Sequence, residues 1–228
     1  MFTRKNSNLI NWKWVVVGAL ITLFFVIAGV MGLDKVLYVF IHKPDCNVWT
    51  ITSGFLCSFA NIVGKIFSVK MWVFATAIAV FLFYIYKAIT NENDFRFAFV
   101  KIKNSYVFYV FASVVCALMT TGILKVLIGR SRPVLFDALG RTYFEPWVFD
   151  TIFNSMPSGH SAASFAGLVM IGLLYPRIKW LMWLLAIIIG VSRIYVGAHW
   201  PSDVVFGAFV GIVCAIVVKS ALKRINSK

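Results

Sequence analysis

An all-α membrane bundle is the fold class this sequence predicts, and three observations predict it. Of its 228 residues, 61% are hydrophobic and only 13% charged, with a mean hydropathy of +0.88. A soluble domain carries about half apolar and about a quarter charged residues, so most of this surface is built for lipid. The apolar residues also gather into six segments, 15–33, 71–89, 106–128, 160–175, 180–198 and 201–218. Most are close to the about 20 residues that a membrane-crossing helix needs. Finally, Lys and Arg fall on alternate connections, the asymmetry that marks cytoplasmic loops.

The first segment follows Arg4, Lys5 and Lys13 and resembles the start of a secretory signal. It is long enough to span and has no convincing small-residue cleavage site, so it reads as a retained signal-anchor helix. Residues 34–70 are too broken to span. Their patches at 33–41 and 55–69 read as amphipathic helices in the outer interface, either a lid on the bundle or a guide for lipid. Cys46 and Cys57 both fall here, and a bridge between them is possible if that compartment is oxidising. The aromatic-rich stretch 95–111 reads as lipid- or core-facing surface. Cys116 and Cys214 lie mid-span and read as small packing residues.

The fourth segment, 160–175, is short for a bilayer and is expected to begin in the interface. In the sixth, Gly207 and Gly211 have the spacing that lets another helix approach closely, which is read as core packing rather than dimerisation. Trp12, Trp14, Trp72, Tyr106, Trp180 and Trp200 stand at segment ends, where aromatic belts form.

Orientation follows from the basic residues. The N-terminus, the loop with Arg96, Lys101 and Lys103 (and Lys87 just before it), the loop with Arg177 and Lys179, and the tail with Lys219, Lys223, Arg224 and Lys228 share one side. The bias toward basic cytoplasmic loops makes that side and both termini cytoplasmic. Residues 34–70, 129–159 and the turn at 199–200 then share the opposite, non-cytoplasmic face. The formal net charge of +14 does not indicate nucleic acid, because no basic stretch is free of apolar sequence and no nucleic-acid motif appears. It fits basic loops against anionic lipid and a site for an anionic substrate. Without internal repeats, low-complexity tracts or a long linker, residues 1–228 read as one domain.

Three polar clusters open on that non-cytoplasmic face. Lys125, Arg130, Arg132 and Pro133 end the third segment. They could anchor a helix end at the interface, but Arg also grips phosphate oxygens with two parallel hydrogen bonds and Lys adds a mobile charge. Pro133 is expected to end the helix. The second cluster is Pro157-Ser158-Gly159-His160. Ser caps helix N-termini, the free N–H groups there attract anions, and Gly159 admits close approach of a ligand. His160 places a titratable group in that cradle. The third, residues 192–203, holds Arg193, His199 and Asp203. Pro201 suits a first helical turn, from which Asp203 leans back toward His199. A carboxylate on one imidazole nitrogen leaves the other free to act as nucleophile or base.

Three cations, an N–H cradle and two histidines, one beside a carboxylate, suit attack on a phosphorus dianion, which depends mainly on positioning and charge neutralisation. The cations Lys125, Arg132 and Arg193 would repel a divalent ion, and no Cys/His pattern suggests one. Neither metal nor cofactor is expected.

The spacing K-x6-R-P at 125–133, P-S-G-H at 157–160 and S-R-x5-H-x3-D at 192–203 resembles the type 2 phosphatidic acid phosphatase superfamily, which includes soluble acid phosphatases and vanadium haloperoxidases. All three motifs match in order and spacing. The resemblance implies that His199 attacks phosphorus to form a phosphohistidine, with Asp203 orienting it. His160 would protonate the leaving oxygen and then activate water, while Lys125, Arg132, Ser158, Gly159 and Arg193 hold the phosphoryl oxygens. Ser192 is expected to support Arg193, and Arg130, at a variable position of the motif, only to assist.

The implied activity is a metal-independent membrane lipid phosphatase. Its candidate substrates are lipid A 1-phosphate, then phosphatidylglycerophosphate, undecaprenyl diphosphate or phosphatidic acid. A lipid phosphotransferase using the same histidine, and an anion or phospholipid transporter using the same cations, are the alternatives.

Overall fold

Among the described residues, five helical stretches are long and apolar enough to cross a membrane: Trp12–Ile41, Val69–Lys87, Tyr106–Ile128, Pro176–Tyr195 and Pro201–Arg224. They belong to a computed structural model that describes residues 10–46, 54–90 and 105–226. The helices are α1 (Trp12–Ala28), α2 (Asp34–Ile41), α3 (Phe55–Ile66), α4 (Val69–Thr90), α5 (Tyr106–Ile128), α6 (Pro133–Leu139), α7 (Gly159–Leu174), α8 (Lys179–Tyr195) and α9 (Pro201–Asn226). The architecture is an all-helical membrane bundle, with five spans by length among the described residues. Arg4, Lys5, Arg96, Lys101, Lys103 and Lys228, together with residues 95–104 of the aromatic stretch, lie outside the described residues.

The segment expected as the fourth span is the centre of the bundle. With 16 residues, α7 is about 24 Å long at 1.5 Å per residue, short of the about 30 Å hydrocarbon core. It packs against α5, α8 and α9, and most of its residues are buried. Protein rather than lipid surrounds it, so bilayer thickness does not set its length. Gly207 and Gly211 of α9 face its first turns. A Cβ at Gly207 would run into the Ser158 backbone, and one at Gly211 into the Ala162 carbonyl. The glycine pair therefore serves core packing. By contrast, Leu20, Phe24, Phe74 and Trp180 on the outer helices are exposed, as lipid-facing side chains would be.

Residues 34–41 form a helix of their own, α2, set off from α1 by a kink at Gly29–Leu33, where Gly32 has φ 136°. Two buried side chains fix this direction. Asp34 pairs with Arg130, and the Tyr38 hydroxyl donates to Asp137 at 2.8 Å. The amphipathic expectation holds for α3, whose Phe55, Phe59 and Ile62 are exposed while Cys57, Ala60, Val63 and Gly64 face inward. A Cys46–Cys57 disulfide ties its first turn to the connection that follows α2. Cys116 and Cys214 are free and pack in the core between α5, α7 and α9. Among the belt candidates Trp12, Tyr106 and Trp180 are exposed, but Trp200 is fully buried, held by its indole N–H to the Ser131 carbonyl at 3.0 Å.

Helix direction brings the C-terminal ends of α5 and α8 and the N-terminal ends of α7 and α9 to one end of the bundle. At the other end the Lys219 ammonium donates to the Leu173 carbonyl at 2.7 Å.

Candidate active site

At the first of these ends lies a cavity of about 790 Å³ whose lining includes Arg132, His160, Arg193 and His199, with Gly64 and Lys65 supplied by α3. Each of the three sequence clusters therefore contributes to one space, and α3 closes its side.

Local folding explains the placement of each. α5 ends at Gly129, in the left-handed region with φ 59°. There a side chain would collide with the Glu145 carbonyl. Pro133 does not end this helix. It opens α6, with Arg132 as the N-cap residue, because its fixed φ suits a first turn. Lys125, in the last turn of α5, donates to the Asn154 carbonyl. Arg132 Nε donates to the Thr151 carbonyl at 2.8 Å, and its Nη1 to the Ala198 carbonyl at 3.3 Å. This second contact joins the first cluster to the third. Burial lowers the Arg132 pKa from its ordinary value.

Ser158 caps α7, accepting from the Ser161 N–H at 3.4 Å and the Ser161 hydroxyl at 3.1 Å. It is fully buried and does not line the cavity. Gly159 borders Lys125, whose Cε would lie 3.8 Å from a Cβ there. Arg193 is held by its Nε on Ser192 Oγ at 3.1 Å and its Nη2 on the Ala60 carbonyl at 2.6 Å, so Ser192 supports Arg193 as the sequence suggests. A Cβ at Gly64 would overlap the Arg193 guanidinium. Glycine on α3 thus makes room for that cation.

His199 is 3% exposed, with Nδ1 turned toward Asp203 and without a hydrogen-bond partner. The Nδ1–Oδ2 separation is 3.8 Å, too long for a hydrogen bond. Asp203 Oδ2 already accepts from the Ser155 hydroxyl and from the Trp200 N–H at 3.0 Å. Burial pushes the His199 pKa down to about 3; Asp203 opposes that fall, while Arg132 and Lys125 add to it. The ring is therefore neutral at pH 7, the state a nitrogen nucleophile requires.

Sequence reasoning underrated Arg130 and missed Asp34. Arg130 is 2% exposed and bonds Asp203 Oδ1 at 2.8 Å and Asp34 Oδ2 at 2.7 Å. The available signal was Asp34 itself, the lone acidic residue of a 30-residue apolar stretch. An ionisable side chain in such a place marks function or a buried partner. Ending the first segment at residue 33 hid it.

A family model described as the PAP2 superfamily matches residues 105–227, which include all three clusters. Among curated proteins, a lipid A 1-phosphatase of Rhizobium johnstonii is 40% identical over 113 residues, 48% of this chain and 46% of that protein. An undecaprenyl-diphosphatase of Sulfolobus acidocaldarius is 35% identical over 101 residues, 43% of this chain and 47% of that protein. The chain thus spans about half the length of the curated relatives it matches. Among solved structures, the crystal structure of Aquifex aeolicus LpxE aligns with 71% of this chain and 92% of that one, at 20% identity and a TM-score of 0.38.

Proposed function

The chain belongs to the PAP2 superfamily, and on that premise we propose that it is a membrane lipid phosphatase acting through a phosphohistidine. The observation that carries this reading is the convergence of Arg132, His160, Arg193 and His199 on one cavity, with Lys125 against Gly159.

The steps follow from the side chains. A phosphate group enters with its oxygens toward Lys125, Arg132 and Arg193 and toward the N–H groups at the start of α7, near Ser158 and Gly159. The His199 nitrogen turned away from Asp203 attacks phosphorus, and the bond to the lipid oxygen breaks. His160 gives its proton to that leaving oxygen. Water then attacks the phosphohistidine while His160 takes the water's proton, releasing inorganic phosphate and restoring His199. The Asp203 carboxylate behind His199 stabilises the positive charge that the ring gains. Fixed cations in a buried site are worth more than in water because nothing must reorganise as charge develops.

The same reading puts the protein in a bacterial inner membrane, both termini cytoplasmic and the site facing the periplasm. The site lies at the end of the bundle opposite Arg177, Lys179 and Lys219. Substrates are ranked lipid A 1-phosphate first, then phosphatidylglycerophosphate, undecaprenyl diphosphate and phosphatidic acid. The two kinds of relative, a lipid A 1-phosphatase and an undecaprenyl-diphosphatase, support the list.

The test is phosphate release from each of these four lipids by the full chain in detergent, with His199→Ala as the blank. Release from at least one lipid, absent in the blank, is expected. Transfer of the group to a second lipid without free phosphate would make it a phosphotransferase, and no reaction with any of the four would remove the reading.

A further inference from the structure

Behind the catalytic histidine, away from the cavity, three ionised side chains are buried together. Asp34 is the first residue of α2, Arg130 comes from the connection after α5, and Asp203 from the first turn of α9. Arg130 Nη2 lies 2.7 Å from Asp34 Oδ2 and Nη1 lies 2.8 Å from Asp203 Oδ1, with all three side chains at most 3% exposed. Ser202 knits the group further. Its N–H donates to Asp34 Oδ1 at 2.8 Å, its hydroxyl donates to Asp34 Oδ2, and Arg130 Nη1 donates to its oxygen at 2.7 Å. The guanidinium lies 5.3 Å from the Trp200 ring and 5.8 Å from the Phe144 ring. Its orientation is thus fixed on two sides. Gly29 makes the approach possible, since a Cβ there would lie 2.7 Å from the Asp34 carboxylate and 2.8 Å from Ser202 Cβ.

The charges do not cancel. Two carboxylates share one guanidinium, a net charge of −1 among the three, and a cavity lined by Asp34, Lys35, Arg130 and Arg141 adjoins them. On the Asp203 side stands His199, whose Nδ1 has no hydrogen-bond partner and faces Asp203 at 3.8 Å. A ring that becomes cationic on taking up a phosphoryl group supplies the missing charge.

We infer that Asp34 and Arg130 are positioning residues for His199. Arg130 holds Asp203 by Oδ1 with Oδ2 toward the ring, and Asp34 keeps the cluster negative so that it favours the phosphorylated, positively charged imidazole. The inference rests on the phosphohistidine reading above. It also extends the working site to residue 34, outside the matched region 105–227. Asp34 touches no substrate; it acts through Arg130 and Asp203.

The test is Asp34→Asn, which keeps the shape of the side chain and removes its charge. Measured as phosphate release from a lipid monophosphate by the full chain in detergent, kcat should fall about 10- to 100-fold, the range for partners that orient a functional ligand. KM should stay near wild type, because the phosphate-holding cations are untouched. In an Asp203→Asn background the same substitution should add little, since its effect passes through Asp203. A wild-type kcat for Asp34→Asn, or the same fold-loss in both backgrounds, overturns the inference. Should Asp34→Asn fail to fold, Arg130→Lys serves instead. It keeps the charge but loses the fork that spans both carboxylates, and a wild-type kcat for it overturns the inference equally. His199→Ala separates the two levels. If that variant releases phosphate at the wild-type rate, the phosphohistidine reading itself fails. If it is inactive while Asp34→Asn is fully active, only the role of Asp34 fails.

Discussion

His199 Nδ1 and Asp203 Oδ2 face each other at 3.8 Å with no hydrogen bond between them. The gap has a cause, because Ser155 and the Trp200 N–H already occupy Oδ2 and Arg130 occupies Oδ1. The carboxylate is thus held in place independently of the imidazole. In the proposed mechanism its work is to stabilise the ring once that ring becomes charged. Hydrogen bonds in such sites commonly tighten only when substrate arrives.

Asp203→Asn leaves the shape of this arrangement nearly intact and removes the charge. The comparable loss of an orienting carboxylate in a serine triad costs about 10⁴-fold in kcat, and a loss of several orders of magnitude is expected here. Vanadate inhibition should persist, since Lys125, Arg132 and Arg193 remain. Steady-state phosphate release with and without vanadate checks both statements, and an Asp203→Asn enzyme of full activity would contradict the first.

Gly64→Ala tests the contact between α3 and the site. The added methyl overlaps the Arg193 guanidinium, which must leave the Ala60 carbonyl or shift within the cavity. Loss of one hydrogen bond to a charged group is worth about 1.5–3 kcal/mol, so kcat/KM should fall by about tenfold or more. Ile62→Ala, on the exposed face of the same helix and outside the cavity lining, is the control for general disturbance of α3. Equal losses in the two variants would argue against a specific role for Gly64.

The protonation of His199 is open to direct measurement. Free imidazole has a pKa of about 6.5, whereas burial brings this ring down to about 3. With the pKa lowered, the ring stays neutral as pH falls from 8 to 5 and gains a proton only in stronger acid. The stability effect has the matching sign. Below pH of about 6.5 the unfolded chain binds a proton that the folded chain refuses, so folding weakens as pH falls. In nitrogen-15 histidine spectra the His199 ring should show no titration between pH 8 and 5. A midpoint near 6.5 would contradict the burial described here.

Much of the site was legible because its chemistry is local in sequence. Lys125 lies in the last turn of α5 and Arg132 caps the helix that follows, Ser158 caps the helix that carries His160, and His199 and Asp203 lie four residues apart across a helix start. Each pair obeys rules of turn and cap that need no tertiary contact. What escaped was long-range. Asp34 and Arg130 meet across 96 residues, and only a kink at Gly29–Leu33 aims Asp34 inward. Trp200 looked like an interfacial tryptophan from its place at a segment end, yet its ring is fully buried, 5.3 Å from Arg130. The shortness of α7 misled in the same way. A helix sheathed by its neighbours has no reason to match the bilayer, and segment length alone does not reveal which helix is central.

The most direct test of the central claim is chemical trapping of the intermediate. Full-length enzyme is mixed with a lipid carrying radiolabelled phosphate, quenched in alkali within one turnover, and mapped by peptide mass spectrometry. The expected result is phosphate on the His199 ring, with neither label nor turnover in His199→Ala. Sustained phosphate release without label on His199, or wild-type turnover by His199→Ala, would contradict the account.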